Sequence, residues 1–313
     1  MENVFIVNKA SRTGKAEGVW NKIEEYLKSE GVDYEVHFTA KAYDATEFAK
    51  NATSSGEDVH LFVMGGDGTL NEALNGIVDF EHTLYTPLPS GSANDFVKGI
   101  GLEGSTLDIL KRALKDDGFK SIDIGKVTYN KDGEEQSRLF GVSSGIGVDA
   151  YVCLQALTSK LKTFLNKFGL GSATYGLLTV GDIFTMPFSD AVVTTYFDGK
   201  KEERNIKSTI FAAAMNCPAE GGGIPMAPKA TVDSGYLTAF IAHDISRIKC
   251  FGLLPFLVAG KHEGKNGFDL LKFNKLEISM DDQMCVHADG EHVGFYKKIT
   301  FECLPSKLKI RGF

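Results

Sequence analysis

A chain of 313 residues is longer than one ordinary core requires, so two domains are expected. With 43% hydrophobic and 24% charged residues it has the make-up of a folded globular protein, and a net charge of -7 argues against nucleic acid as the main partner. No apolar stretch reaches the roughly 18 residues of a membrane span, the nearest being Cys250 to Gly260, which carries Pro255. Met1-Glu2-Asn3-Val4 lacks the basic lead of a signal peptide. Cys153, Cys217, Cys250, Cys285 and Cys303 have no metal-ligand spacing and read as free thiols of a reducing, cytoplasmic compartment.

In chain order, Val4 to Val7 reads as a strand. Ala16 to Lys28 follows with helical spacing of Val19, Ile23 and Leu27. Tyr34 to Phe38 alternates as a strand, and Ala45 to Asn51 is a helix with Asp44 as its expected N-cap. Val59 to Val63 is largely apolar, as in a strand buried on both faces of a parallel sheet. A helix from about Leu70 to Val78 and a strand at Leu84 to Leu88 complete a strand–helix alternation, which predicts a doubly wound α/β domain.

Beyond Asp123 strands dominate: Ile124 to Tyr129, Leu139 to Val142, Ala191 to Phe197, Thr209 to Met215, Tyr236 to Ala242 and Leu276 to Met280. Asp198-Gly199 is a hairpin signal. Helices are expected near Ala150 to Phe164, Tyr175 to Thr185 and Ile245 to Val258. The second domain is therefore mainly antiparallel β. The expected division is 1–123 with a return of 301–313, and 124–300.

Gly65-Gly66-Asp67-Gly68-Thr69 lies directly after the buried strand and before a helix. Its glycines let the backbone approach a ligand, and the first amides of the helix favour phosphate. Asp67 beside phosphate is repulsive unless a cation intervenes, which implies Mg2+. Asn8 to Gly14 and Pro89 to Asp95 are polar loops after other strands of the same sheet; singly each is a plain loop, together they mark one crevice. In His287-Ala288-Asp289-Gly290-Glu291, either carboxylate could accept a proton, and a polar hairpin tip is the bland reading.

Taken together, these segments resemble the soluble bacterial diacylglycerol kinase family, which includes sphingosine and ceramide kinases. The likeness runs through Asn8 to Gly14, Gly65 to Glu72, Gly-Ser-Ala-Asn-Asp-Phe from Gly91, Gly145-Ile-Gly-Val-Asp149, Pro228 to Leu237 and Asp289-Gly-Glu291. It implies a nucleotide domain like that of phosphofructokinase and NAD kinase, a C-terminal β-sandwich, and a final strand around Leu308 to Ile310 that returns to the first domain. By position, ATP would be contacted by Asn8, Lys9, Ala10, Ser11, Arg12, Thr13, Gly14, Thr39, Gly65, Gly66, Asp67, Gly68, Thr69, Leu70, Asn71 and Ser92. Asp67 would organise the catalytic Mg2+, and Glu291 or Asp289 would be the base.

The resemblance has departures. Lys9 stands where proline is usual, and Arg12-Thr13 precede the loop glycine. The family often has Asp-Asp-Gly-x-Leu, whose second aspartate helps hold a structural Mg2+. Here Asp233-Ser234-Gly235-Tyr236-Leu237 occurs, so Thr231 and Tyr236 would offer carbonyls, Ser234 no charge, and Asp233 is the candidate to compensate.

The implied activity is transfer of phosphate from ATP to a lipid hydroxyl, as in conversion of diacylglycerol to phosphatidic acid. The enzyme would be cytoplasmic, peripheral to the membrane, and by analogy with relatives a homodimer. Ser159 to Phe168 mixes basic and apolar residues as interfacial segments do, or forms an ordinary amphipathic helix. Phe251, Leu253, Leu254, Phe256 and Leu257 could line an acyl pocket, with core the favoured reading. The alternatives are a kinase for a soluble acceptor such as NAD and a nucleotide-binding regulator without turnover.

Overall fold

The computed structural model describes residues 1–11, 15–115, 117–158 and 188–313. Arg12, Thr13 and Gly14, the expected helix at Tyr175 to Thr185 and the Ser159 to Phe168 segment lie outside these. The chain divides into two units, Met1–Ile124 with Pro305–Phe313, and Gly125–Leu304.

In the first unit, β1 (Glu2–Val7), β2 (Glu35–Phe38), β3 (Val59–Gly65) and β4 (Thr83–Pro89) form a parallel sheet. The last residues of β14 (Glu291–Ile310) join its edge, Lys309 opposite Leu84, giving the order β14-β4-β3-β1-β2. The strand order reverses between β1 and β3, which is where open α/β sheets receive ligands. All seven residues of β3 are buried, because helices cover both faces. Helix α1 (Lys15–Ser29) packs beside α5 (Thr106–Lys115), and α2 (Asp44–Ala52) against α3 (Asp67–Gly76). Phe5 and Phe62 stack at 4.5 Å with Trp20 edge-on to Phe5, so the aromatics of β1, β3 and α1 form the centre of this core.

Two local expectations are corrected. Asp44 is the first residue of α2, not its cap: Tyr43 takes the N-cap place with φ 69°, and Asp44 Oδ2 accepts from the amides of Ala40 and Lys41 instead. A carboxylate tied to the preceding turn cannot reach forward to the helix amides. Helix α3 begins at Asp67 rather than Leu70 and ends at Gly76, so the glycine-rich motif is its first turn and not a loop before it. The loop from Pro89 to Asp95 leads into the short helix α4 (Asp95–Gly99), as expected, whereas α5 carried no reading in the sequence.

The second unit is a largely antiparallel sheet. Its strands are β5 (Lys120–Lys131), β6 (Glu134–Phe140), β7 (Ser143–Gly147), β8 (Ser189–Phe197), β9 (Lys200–Thr209), β10 (Phe211–Met215), β11 (Leu237–Ala242), β12 (Phe268–Phe273), β13 (Lys275–Ala288) and most of β14. Strand β13 is the organiser. Lys275 to Met280 pair with β8, Val286 to Ala288 pair with β7, and a register shift between Ser279 and Met284 separates the two partnerships. Asp198-Gly199 does turn the β8–β9 hairpin. Helix α6 (Val148–Thr158) follows β7 directly.

Helix α7 (Arg247–Val258) departs from the core expectation. Leu257 is buried, Leu253 and Leu254 are half-buried, and Phe251 and Phe256 are 48% and 42% exposed.

The C-terminal return is fastened from inside the first unit. Buried His60 donates through Nε2 to Thr86 Oγ1 at 2.8 Å, and that hydroxyl donates to the Arg311 carbonyl at 2.8 Å. Burial, and then the charge of Arg311, push His60 down to about 3. The unfolded imidazole takes a proton near 6.5 while the folded one does not. Stability from this group is complete above that pH and is lost as pH falls toward 3, by about 1.4 kcal/mol per pH unit. Thermal unfolding between pH 7 and 5 should therefore take up one additional proton, and His60→Gln, which keeps the amide donor, should remove that component.

Candidate active site

The first unit gathers three loops at the carboxyl ends of β1, β3 and β4. Asn8 follows β1; its amide donates to the Met64 carbonyl, its Nδ2 donates to Thr69 Oγ1 at 3.0 Å, and its Oδ1 accepts from Ala10 N. Ser11 and Ser90 are joined hydroxyl to hydroxyl at 2.7 Å, and the Ser90 amide donates to the Gly65 carbonyl at 2.9 Å. Gly66 and Gly91 meet backbone to backbone: a Cβ on Gly91 would lie 2.5 Å from Gly66 Cα, closer than side chains tolerate. Asn94, with φ 52°, holds Gly91 from the other side by accepting from its amide and donating to its carbonyl.

Asp67 bridges two of these loops, since its Oδ1 accepts from the Phe96 amide at 3.1 Å in the first turn of α4. Gly66, Asp67, Gly68 and Thr69 are half-buried, Ser92 and Ala10 are exposed, and Thr39 donates its amide to the Val7 carbonyl. The side chains of Leu70 and Asn71 are buried at 2% exposure, leaving backbone as what those positions can offer a ligand. Lys9, in the place of the usual proline, lies 4.0 Å over the Phe38 ring and 3.9 Å from Glu17. The opening amides of α3 carry no side-chain cap. The arrangement suits phosphate oxygens, with a carboxylate beside them for a cation.

In the second unit the two candidate bases have different surroundings. Asp289 Oδ1 accepts from the amides of Val142 and Ser143 at 2.8 and 3.0 Å, and its Oδ2 accepts from Gly141 at 2.8 Å. Its own amide donates to the Ser143 carbonyl. This carboxylate clasps the segment before β7. Glu291 begins β14, half-buried, opposite Ala288.

Beside them is a buried polar cluster that the sequence reading did not assemble. His287 Nε2 lies 2.8 Å from Asp149 Oδ2, and Glu220 faces Asp149 and Ser143. The Cys153 thiol, one helical turn beyond Asp149, completes a group of donor atoms lying within 4.8 Å of one another with Asp149 and His287. Burial opposes the charge of Asp149, but His287 holds it below the ordinary carboxylate range; burial likewise opposes the charge of His287, and Asp149 more than offsets this. For Glu220, burial and then the Asp149 charge push the carboxyl up to about 8. Asp149 was legible as part of a glycine motif. Glu220 carried no sequence signal and His287 only a place at the head of the Asp289–Glu291 motif, because the pairing of β7 with β10 on one side and β13 on the other is what brings them together.

The loop before β11 contains the candidates for a second cation. Ser234 Oγ lies 3.1 Å from the Thr231 carbonyl and 2.8 Å from the Tyr236 carbonyl, and Asp233 is exposed.

The sequence matches the family model of the diacylglycerol kinase catalytic domain over residues 2–127 and that of the YegS C-terminal NAD kinase beta sandwich-like domain over residues 142–312. The chain belongs to the family of lipid kinases built from these two domains. It is 27% identical over 310 residues, 98% of each chain, to the Bacillus subtilis protein called "Putative lipid kinase YtlR". To a diacylglycerol kinase of the same organism it is 25% identical over 277 residues, covering 87% of this chain and 84% of that one. Among solved structures, a diacylglycerol kinase of Bacillus anthracis superposes with TM-score 0.72 at 21% identity, covering 100% and 97% of the two chains. An NAD kinase of Archaeoglobus fulgidus in complex with ATP superposes with TM-score 0.54 at 14% identity, covering 98% and 92%. Both likenesses show the fold, an α/β unit followed by a β-sandwich, in the class expected from the sequence.

Glu220 has a measurable consequence. The unfolded carboxyl ionises near its ordinary value, whereas the folded one keeps its proton to about 8. Stability from this group is complete at acid pH and is lost as pH rises through that window. Glu220→Gln should match the parent in melting temperature near pH 5 and exceed it near pH 9.

Proposed function

We propose that this protein transfers the γ-phosphate of ATP to the hydroxyl of a lipid such as diacylglycerol, giving phosphatidic acid. The observation that carries the reading is the interlocked loop cluster at β1, β3 and β4 with Asp67 inside it, on a chain of this family. The amides at the start of α3 face the phosphates. Asp67 holds Mg2+, which supplies charge neutralisation on the phosphate oxygens when bound; one carboxylate with substrate phosphates and water is a usual set for that ion.

Glu291 is the proton acceptor. It takes the hydroxyl proton as the lipid oxygen bonds to the γ-phosphorus and the bond to the ADP oxygen breaks. Asp289 is the less available group, because three amides already occupy its carboxylate oxygens. A peripheral position at the membrane is supported by α7, where Ile248, Phe251, Phe256 and Val258 are exposed beside Arg247 and Lys249.

The second cation of the resemblance does not fit this loop. The Ser234 hydroxyl sits within bonding distance of both carbonyls that would face the ion, and it brings no charge. Mg2+ demands near-octahedral oxygen geometry and is usually held through one or two carboxylates, and Asp233, the carboxylate that could serve here, is exposed.

Labelled phosphate transfer in mixed micelles, with hydroxylated lipids and NAD as acceptors, tests the reading. Lipid product is expected, and it should be lost in Asp67→Ala, which should stay folded with a melting temperature lowered by the lost Phe96 amide bond. Glu291→Gln should lower turnover roughly 10²- to 10⁴-fold, whereas Asp289→Asn should lower the melting temperature as well. Product on NAD alone would reverse the assignment. For the second cation, melting without nucleotide should be indifferent to Mg2+ in the parent and should rise with Mg2+ in Ser234→Asp.

A further inference from the structure

The segment Gly145-Ile146-Gly147-Val148-Asp149 is conspicuous in the sequence, and phosphate transfer as described gives it no task. The structure supplies one. Gly145 lies opposite His287 in the β7–β13 pairing, and Asp149 is the second residue of α6, immediately beyond the strand. A Cβ at Gly145 would fall 2.3 Å from Asp149 Oδ2 and 2.9 Å from His287 Nε2. The space a side chain would fill is therefore occupied by the Asp149–His287 pair itself.

That pair has a second end. Gly290 donates its amide to His287 Nδ1 at 3.2 Å, while Nε2 donates to Asp149. The imidazole thus links the start of α6 to the two-residue turn between β13 and β14. Asp289 and Gly290 both have positive φ, 49° and 80°, as in the tight turns that match strand twist. Glu291 is the next residue. The turn is gripped twice: Asp289 by the amides of 141–143, and Gly290 by the imidazole. His287 is 1% exposed, and the groups facing it are Asp149, Glu220, Asp289 and the Cys153 thiol. Asp149 raises the affinity of the ring for a second proton, but the Gly290 amide points its hydrogen at Nδ1 and only a bare nitrogen accepts it, so the geometry assigns the neutral ring with its proton on Nε2.

We propose that Asp149 and His287 are positioning residues: they hold the Asp289–Gly290 turn so that Glu291 stands where a substrate proton can be taken, and Gly145 is glycine to make room for them. The inference rests on Glu291 being the proton acceptor, because a base displaced by about 1 Å can lose on the order of 10²-fold in rate. Neither residue touches a reacting atom.

Two readouts test it, one independent of turnover. In protein labelled with ¹⁵N in histidine rings and glycine amides, His287 should show a proton on Nε2 and a bare Nδ1, and the Gly290 amide should exchange slowly. His287→Gln keeps a donor for Asp149 but offers Gly290 no acceptor; it should lower kcat about 10- to 100-fold with KM for ATP and lipid within about twofold. His287→Asn, which restores an acceptor near Nδ1 but not the bond to Asp149, should recover part of that loss. Wild-type kcat in His287→Gln would overturn the proposal, and so would a protonated Nδ1 with a fast-exchanging Gly290 amide in the parent. If the parent transfers phosphate to no acceptor, the kinase reading fails instead, and the ring and Gly290 signals still decide whether the pair holds the turn.

Discussion

Two backbones in the first unit run so close that a side chain on Gly91 would collide with Gly66, while one on Gly66 would meet Gly91 at the edge of contact, 3.4 Å from its Cα. Gly66, capping α3, and Gly91, in the loop after β4, touch through their Cα atoms. Several other contacts depend on that approach. It lets Asp67 reach the Phe96 amide, puts Ser90 within reach of both Gly65 and Ser11, and allows Asn94 to close its loop onto Gly91. Three loops from three strands become one polar surface, tied together by bonds among their own amides and side chains. A larger residue at position 91 would separate them, and the sheet beneath would survive without its crevice.

The second unit is organised around a different constraint, the cost of burying charge. Asp149, Glu220 and His287 lie in an interior where lone ions are strongly disfavoured. Pairing Asp149 with His287, and retaining the proton of Glu220, keeps the cluster compatible with burial. Such clusters seldom add net stability over apolar packing. What this one adds is direction, since each hydrogen bond fixes one orientation of its partner and the chain of bonds ends at the turn before Glu291.

Legibility followed the kind of signal each element carries. Strand β3 was plain because all seven residues are buried and apolar runs are rare outside cores. Strand β7, Ser-Ser-Gly-Ile-Gly, was missed because small residues give no alternation, although it is wholly buried between β10 and β13. Strand β9 was legible only through its turn, Asp198-Gly199: Lys200 to Asn205 are charged or polar and exposed, and pairing with β8 alone keeps them extended. Asp44 misled because a helix cap and a turn clasp use the same residue in the same place. On α7, an apolar sequence suggested core, yet apolar composition does not specify which face is covered.

By itself the sequence determined the α/β alternation, the β-rich second half, and the glycine and carboxylate motifs on which the family likeness rests. These are local, written in consecutive residues and their period. The tertiary structure alone decided what depends on partners distant in the chain. Asp289 meets amides nearly 150 positions earlier, and His287 meets Asp149 across 138. Ser234 alone among these is local, and it too needed the folded loop to show which carbonyls its hydroxyl meets. A hydrogen bond is specified by two atoms and an angle, and only folding brings the second atom into place.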